Sequence, residues 1–521
     1  MRVSTGTRTI SRGVSAERVG VRVTTTELPP HAPFDLYALL RRERGEQDVF
    51  LTESPVGPEQ DRRPAVVGCG RLAEIRVYAT HVEMDGVPEL RSALVGVAER
   101  VGMAGDAAGA APGDGRADEG PARRTFRSAA QMWDLLRRAQ TLFELDTQVP
   151  EDRYAFGFLS TLSYEAAWHM EQFPPRAAAS AVPDITLTLF RDTVWYDRDS
   201  GAVELRRADG PGFGRVPVPD LTELAERALG SPSIGHPDAP APRSVRDTVD
   251  RETFLGWAER CLEHIRVGDI YQIQIGHRID VESALTPVDV YRRLRGRNPS
   301  PYMYLVPRAG STLIGASPEL FVRTEGDRIV MRPIAGTTRR GPDAAANERG
   351  VAEMLASRKE RAEHIMLVDL CRNDIGRVSE PSTLPVDPLL SVESFSHVFH
   401  LVSTVTGRLR SDADTWAVLR ATFPAGTMSG APKIRAMEII DSLEHEPRGA
   451  YAGAVGLIDA RGWSELALCI RSVVYDGRTY STQSSAGIVA ESAPEAEWAE
   501  TLAKMGATYW ALTGTELEVS A

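Results

Sequence analysis

Four glutamates recur as two pairs, each at a spacing of three residues. Glu360 and Glu363 lie in a stretch whose pattern predicts a helix from about Val351 to Cys371. Glu497 and Glu500 repeat the spacing in a second predicted helix after Pro494. Residues three apart share a helix face, so each pair projects its carboxylates together. Two such faces brought together would offer an all-oxygen donor set suited to a hard cation such as Mg²⁺. A single pair of this kind is more often a solvated surface, and Lys504, one turn beyond Glu500, equally fits a surface ion pair. Spacing alone leaves both readings open.

A second chemically suggestive stretch is Phe423-Pro-Ala-Gly-Thr-Met-Ser-Gly-Ala-Pro-Lys433. Small residues let bare backbone N–H groups and hydroxyls approach an anion, while the prolines equally fit a stiffened turn ahead of a helix beginning near Ile434. Lys433 is one of only three lysines, with Lys359 and Lys504, among 60 Lys and Arg residues. From Tyr271 to Ile279 the chain alternates, placing Gln272 and Gln274 on one strand face, more often a solvated sheet surface than a site, and Ile273 and Ile275 on the other. A helix precedes that strand, capped by Asp250, carrying Phe254, Trp257, Cys261 and Ile265 at helical spacing and stopping at Gly268.

At 521 residues with a net charge of −12, the chain can bury a large core and carries no basic stripe for nucleic acid. Cys69, Cys261, Cys371 and Cys469 fit no zinc or disulfide spacing, which points to a reducing cytoplasmic setting. Met1 to Val14 is polar, without the apolar core of a leader, and no stretch approaches a membrane span. The segment from Ala104 to Ala122, nearly all Ala, Gly, Asp, Pro and Arg, reads as a flexible insertion. A Pro-rich stretch from Gly230 to Arg246 separates an N-terminal region, 1–245, from a motif-dense region, 246–521. The alternation of strands and helices gives an α+β or α/β chain with no internal repeat.

The motifs Gly315-Ala-Ser-Pro-Glu-Leu320, Arg332-Pro-Ile-Ala-Gly-Thr337, Glu363-His-Ile-Met-Leu-Val-Asp-Leu-Cys-Arg-Asn-Asp374, the Phe423–Lys433 run and Gln483-Ser-Ser-Ala-Gly-Ile-Val489 carry a resemblance. Together and in this order they resemble the chorismate-utilising enzymes, and within them anthranilate synthase component I. Weaker echoes at Ser163-Tyr-Glu165, Pro183-Asp184 and Phe50-Leu-Thr-Glu-Ser54 extend the likeness over most of the chain. The resemblance implies an α+β fold of two large, mainly antiparallel sheets packed together with helices outside.

It also implies roles. Chorismate carries a ring carboxylate, an enolpyruvyl carboxylate and a C4 hydroxyl that must leave when C2 is aminated. Glu319 matches the family's general acid, a role that needs a carboxyl kept protonated by burial. Glu363 and Glu500 match Mg²⁺ ligands, supported by Glu360 and Glu497, with the metal holding the ring carboxylate. Arg471 and Tyr451 match the enolpyruvyl-carboxylate site. Thr337, Thr427, Ser485, Ala486, Gly487 and Lys504 match further substrate contacts, and His400 matches a histidine linked to pyruvate elimination. Glu53, Ser54, Asn298, Pro301, Tyr302 and Met303 match part of a tryptophan-inhibition site, although Thr52 and Leu457 stand where Leu and Tyr are usual.

Reaction type follows from what the motifs lack. Relatives that add water use a lysine base where this chain has Gln272. Aminodeoxychorismate synthases carry a nucleophilic lysine where this chain has Ala335, which cannot form a covalent adduct. Ammonia at C2, giving 2-amino-2-deoxyisochorismate, is the chemistry that remains. No glutaminase motif completes Val67-Gly-Cys-Gly70, and Cys69 reads as a buried strand-end residue, so the resemblance implies ammonia from a separate glutamine amidotransferase subunit. Two departures, Ser485 in place of the usual glycine and Ala452 after Tyr451, point to specialised metabolism and a reaction that stops there. Retained His400 points instead to anthranilate and pyruvate. Both endpoints stand.

Overall fold

The computed structural model describes residues 18–105, 120–176, 180–230, 235–395 and 397–518. The polar N-terminal run and most of the 104–122 segment lie outside them. The two ends of that segment pair as strands, Ala104 opposite Thr125 and Ala122 opposite Met84. The expectation of a wholly flexible insertion is therefore corrected at its ends, where backbone groups find ladder partners.

Two long antiparallel ladders dominate. One runs from Ile185–Tyr196 through Gly157–Leu162, Ala454–Asp459, Ser464–Leu468, Leu320–Glu325 and Arg328–Met331 to Val405–Arg408. The other runs from Ala65–Val77 through Val49–Glu53, Tyr302–Arg308, Ser311–Ser317, Ser472–Tyr475 and Tyr480–Ile488 to Gln272–Glu282. Ala65–Val77 and Ile185–Tyr196 join them. A parallel pairing between Val19–Glu27 and Phe143–Thr147 adds to this framework.

The ladders pack on one another over Phe50, Leu159, Trp195, Tyr304 and Val455. Their outer faces are covered by helices, Pro88–Arg100, Ala129–Gln140 and Thr415–Thr422 on one side, Arg251–Arg266, Lys433–Leu443 and Pro494–Thr513 on the other. This is the sheet-on-sheet layering expected, each helix burying its apolar stripe. Strands of the first 245 residues pair directly with strands of the rest, Glu53 opposite Met303 and Leu159 opposite Leu457. The two regions therefore share both sheets.

Three local expectations change. The helix expected from Val351 to Cys371 is two helices, Ala344–Ala356 and Arg358–Gly376. Ser357 ends the first and caps the second, its hydroxyl accepting from the Glu360 N–H at 3.2 Å, as a Ser-x-x-Glu pattern favours. Cys69 lies within the Ala65–Val77 strand, opposite Val49, rather than at a strand end. Gln272 and Gln274, on what read as a solvated face, are buried because that face turns inward.

The opposite face of the Gln272–Glu282 strand is apolar apart from the buried His277, with Ile273 and Ile275 fully buried under helices. Ile275→Ala should cost about 2–5 kcal/mol of unfolding free energy, read as a lower denaturant midpoint.

Candidate functional site

Glu319 sits in the short link between Ser311–Ser317 and Leu320–Glu325. It is 7% exposed. Burial pushes its carboxyl up to about 8, opposed by a hydrogen bond from Thr427 and by the Arg471 cation. Thr427 donates through Oγ1 to Glu319 Oε1 at 3.2 Å, from the helical turn Gly426–Met428 inside the Phe423–Lys433 run. The run is a wall beside this acid. Lys433 opens the following helix and spends its ammonium on Asp374, 2.8 Å away, and on the Thr422 carbonyl at 3.1 Å, so it braces that wall.

Arg471 follows the Ser464–Leu468 strand with φ +52, a left-handed conformation that costs a non-glycine residue about 1–2 kcal/mol. Burial draws its pKa down, while Tyr451, Glu500 and Glu319 act in the other direction. The guanidinium thus stands among three residues that the resemblance assigned to the site. Ala452, next to Tyr451, holds a second left-handed φ of +61, the conformation that a glycine meets without strain.

Tyr451, Ser485 and Gln274 form one buried chain of hydrogen bonds. Tyr451 Oη is 2.7 Å from Ser485 Oγ, which donates to Gln274 Oε1 at 2.9 Å. Ser485, Ala486 and Gly487 lie on the Tyr480–Ile488 strand, directly opposite Gly276, Ile275 and Gln274. The Ala486 side chain joins the apolar layer under the helices, leaving its backbone for the other side. Gly487 needs its missing side chain: a Cβ there would lie 2.9 Å from Gln274 Nε2 and 3.0 Å from Gln272 Nε2. Gln272 Oε1 is buried without a protein hydrogen-bond partner.

His400 lies on Val398–Val402, its Nδ1 3.1 Å from the Gly336 carbonyl and 3.0 Å from Thr337 Oγ1. Burial lowers its pKa to about 4, with the Arg471 cation adding to the effect. The imidazole is neutral at pH 7, and Nδ1–H donating to a carbonyl leaves the Nε2 lone pair free. Thr337 itself is exposed.

Glu360 and Glu363 occupy the first turns of Arg358–Gly376, and Glu497 and Glu500 those of Pro494–Thr513. Burial raises Glu363 to about 7; Lys359 opposes this, and Glu360, Glu500 and Glu497 add to it. The four carboxylates therefore face one another at electrostatic range with surplus negative charge, an oxygen-donor set that fits Mg²⁺ in chemistry. Among the described residues no three His, Cys, Asp or Glu side chains converge to ligating distance. The Lys504 ammonium makes the ion pair with Glu500 that the spacing allowed, at 2.6 Å, and donates to the Ser485 carbonyl at 2.9 Å, tying helix to strand.

Five of the six residues matched to an inhibition site do gather elsewhere. Glu53, Ser54, Pro301, Tyr302 and Met303 line a cavity of about 80 Å³ between the sheets, with Thr52 and Leu457. That space holds several waters or a small ligand. Asn298 is not among them; it ends the helix Pro287–Arg297.

Sequence reasoning missed Arg448. Its buried guanidinium binds Glu444 at 2.7 Å and donates to the carbonyls of Met428 at 2.9 Å and Gln274 at 2.7 Å. A Glu-x-x-x-Arg spacing three residues ahead of Tyr451 was the available signal.

A sequence model described as chorismate binding enzyme matches residues 103–509. Over 96% of this chain and 98% of its own length, a Streptomyces globisporus protein named 2-amino-4-deoxychorismate synthase is 45% identical. Anthranilate synthase component 1 of Streptomyces coelicolor is 42% identical over 69% of this chain and 73% of that one. The solved anthranilate synthase component I of Streptococcus pneumoniae superposes with a TM-score of 0.64 at 26% identity, covering 93% of this chain and 99% of that one.

A carboxyl that keeps its proton in the folded state but loses it in the unfolded one weakens folding as pH rises. For Glu319 that loss spans about pH 4.5 to 8, with a slope of at most about 1.4 kcal/mol per pH unit. Glu319→Gln should therefore gain stability relative to the parent across that window, checked by denaturant unfolding at several pH values.

Proposed function

The chain belongs to the chorismate-binding enzymes, and we propose that it aminates chorismate at C2, expelling the C4 hydroxyl as water and keeping the enolpyruvyl group on the ring. The observation that carries this reading is the buried Glu319, held protonated at neutral pH beside Thr427 and Arg471. A leaving hydroxyl needs a proton, and a carboxyl poised near 8 can supply it.

In this reading Arg471 binds the enolpyruvyl carboxylate through paired N–H donors, with Thr427 and the Ala486–Gly487 backbone completing the cradle. Glu363 and Glu500, with Glu360 and Glu497 behind them, would hold Mg²⁺, which neutralises the ring carboxylate when bound. Gln272 presents an acceptor oxygen and no base. It suits ammonia, which is a nucleophile without prior deprotonation, better than water. As C2–N forms and C4–O breaks, the Glu319 proton leaves with the hydroxyl, and the ammonium formed on C2 returns a proton to the carboxylate.

The name of the nearly full-length relative describes the same bond changes. An amino group on C2 of chorismate with no oxygen on C4 is the product of C2 amination with the hydroxyl lost, and is the compound also written 2-amino-2-deoxyisochorismate. A second endpoint, anthranilate plus pyruvate, is favoured by the free Nε2 of neutral His400, a base able to take the C2 proton. Amination at C4 through a covalent lysine adduct is disfavoured by Ala335, whose methyl offers no nucleophile.

Ammonia comes from a separate glutamine amidotransferase in this reading. All four cysteines are buried. Burial pushes the thiols of Cys261 and Cys469 up to about 12 and those of Cys69 and Cys371 well above their usual value. A glutaminase needs the opposite, a thiol activated as thiolate.

Purified protein with chorismate, Mg²⁺ and ammonium should yield an aminated ring product by mass spectrometry, and glutamine alone should not replace ammonium. Turnover should fall as pH rises through about 8, and Glu319→Gln should lower kcat on the order of 10²–10⁴-fold. Product hydroxylated at C2, or aminated at C4, would refute the assignment.

A further inference from the structure

Retention of the enolpyruvyl group asks for something that blocks the second half-reaction, and the buried chain from Tyr451 to Gln274 supplies it. Tyr451, Ser485 and Gln274 are 7%, 1% and 8% exposed. Proton counting fixes the direction of their hydrogen bonds. Gln274 Oε1 can only accept, so Ser485 gives it its single proton over 2.9 Å. Ser485 Oγ must then accept from Tyr451 over 2.7 Å. Tyr451 has no other proton. What it turns toward Arg471 is a lone pair.

Both ends of the chain are held. The Gln274 backbone carbonyl receives Arg448 Nη2 at 2.7 Å, and its amide packs against Gly487 without room for a Cβ. Ser485 is fixed through its own carbonyl by Lys504 at 2.9 Å. The hydroxyls therefore cannot reorient without breaking buried bonds.

Pyruvate loss breaks two bonds on the ring. The C2–H proton goes to a base, and the C3–O bond cleaves with its electron pair moving to the enol oxygen, which takes up a proton and leaves as the enol of pyruvate. His400 Nε2 can be the base. The departing oxygen needs a donor, and the phenol near Arg471 is the group placed to be one. Resting on the C2-amination reading above, we propose that Ser485 is a positioning residue that sets the end point of the reaction: by engaging the Tyr451 proton it withholds hydrogen-bond donation from the departing enol oxygen and keeps the enolpyruvyl group on the ring.

The test follows products from chorismate, Mg²⁺ and ammonium. Pyruvate is measured with lactate dehydrogenase and NADH, and ring products by mass and anthranilate fluorescence. Ser485→Ala and Ser485→Gly each free the phenol and should raise the ratio of pyruvate to total aminated product at least tenfold. Ser485→Thr, which keeps a hydroxyl, should hold the parent ratio. The combined Ser485→Ala, Tyr451→Phe variant should return the ratio to the parent's. An unchanged ratio in both small variants, or a raised ratio that survives loss of the Tyr451 hydroxyl, would overturn the proposal. Failure of the parent protein to aminate C2 would instead sink the functional reading, before any variant is made.

Discussion

The buried guanidinium of Arg448 is the point on which the pocket's geometry depends. It binds the Glu444 carboxylate and two main-chain carbonyls, Met428 in the glycine-rich run and Gln274 in the central strand. Its plane also lies over the Tyr164 ring at 4.6 Å. Below it, Glu165 accepts from the Arg448 and Gly449 N–H groups, so an N-terminal residue closes the same knot. An isolated buried charge costs several kcal/mol, and a fully satisfied pair offsets that cost only while every partner is in place. The requirement fixes three chain segments, distant in sequence, relative to one another.

Around that knot the pocket separates its charges by environment. Glu319 is uncharged at neutral pH because water is excluded from it, while Arg471 keeps its charge among Tyr451, Glu500 and Glu319. The glutamates at the two helix starts crowd negative charge at the far side. Acid, cation and anion cluster are thus held apart by different degrees of burial on rigid strands and helix ends. Such preorganisation is what the proposed reaction, which binds a dianion and protonates its hydroxyl, requires.

Much of this was legible in the chain. The motif order gave the fold, the three-residue glutamate spacing gave the two helix faces, and the alternation at Tyr271–Ile279 gave the central strand with its apolar side correctly placed. What was not legible depended on partners far away in sequence. Whether Gln272 and Gln274 meet solvent is decided by the sheet they belong to, and periodicity is silent on that. The Ser357 break was written as Ser-x-x-Glu, yet the apolar pattern runs through it. Lys504 reads as a surface pair with Glu500 until the Ser485 carbonyl arrives beside it. Arg448 lies in an unremarkable loop whose importance is tertiary.

Each sheet is completed by strands from both halves of the chain, Val49–Glu53 beside Tyr302–Arg308 and Gly157–Leu162 beside Ala454–Asp459. The halves therefore cannot be inherited as exchangeable modules. A crossover with a relative near residue 245 would have to match two backbone ladders and an apolar interleaf simultaneously, and a fragment starting there would present unpaired strand edges to its neighbours. A side chain lining the pocket, such as Ser485, can change without disturbing either ladder.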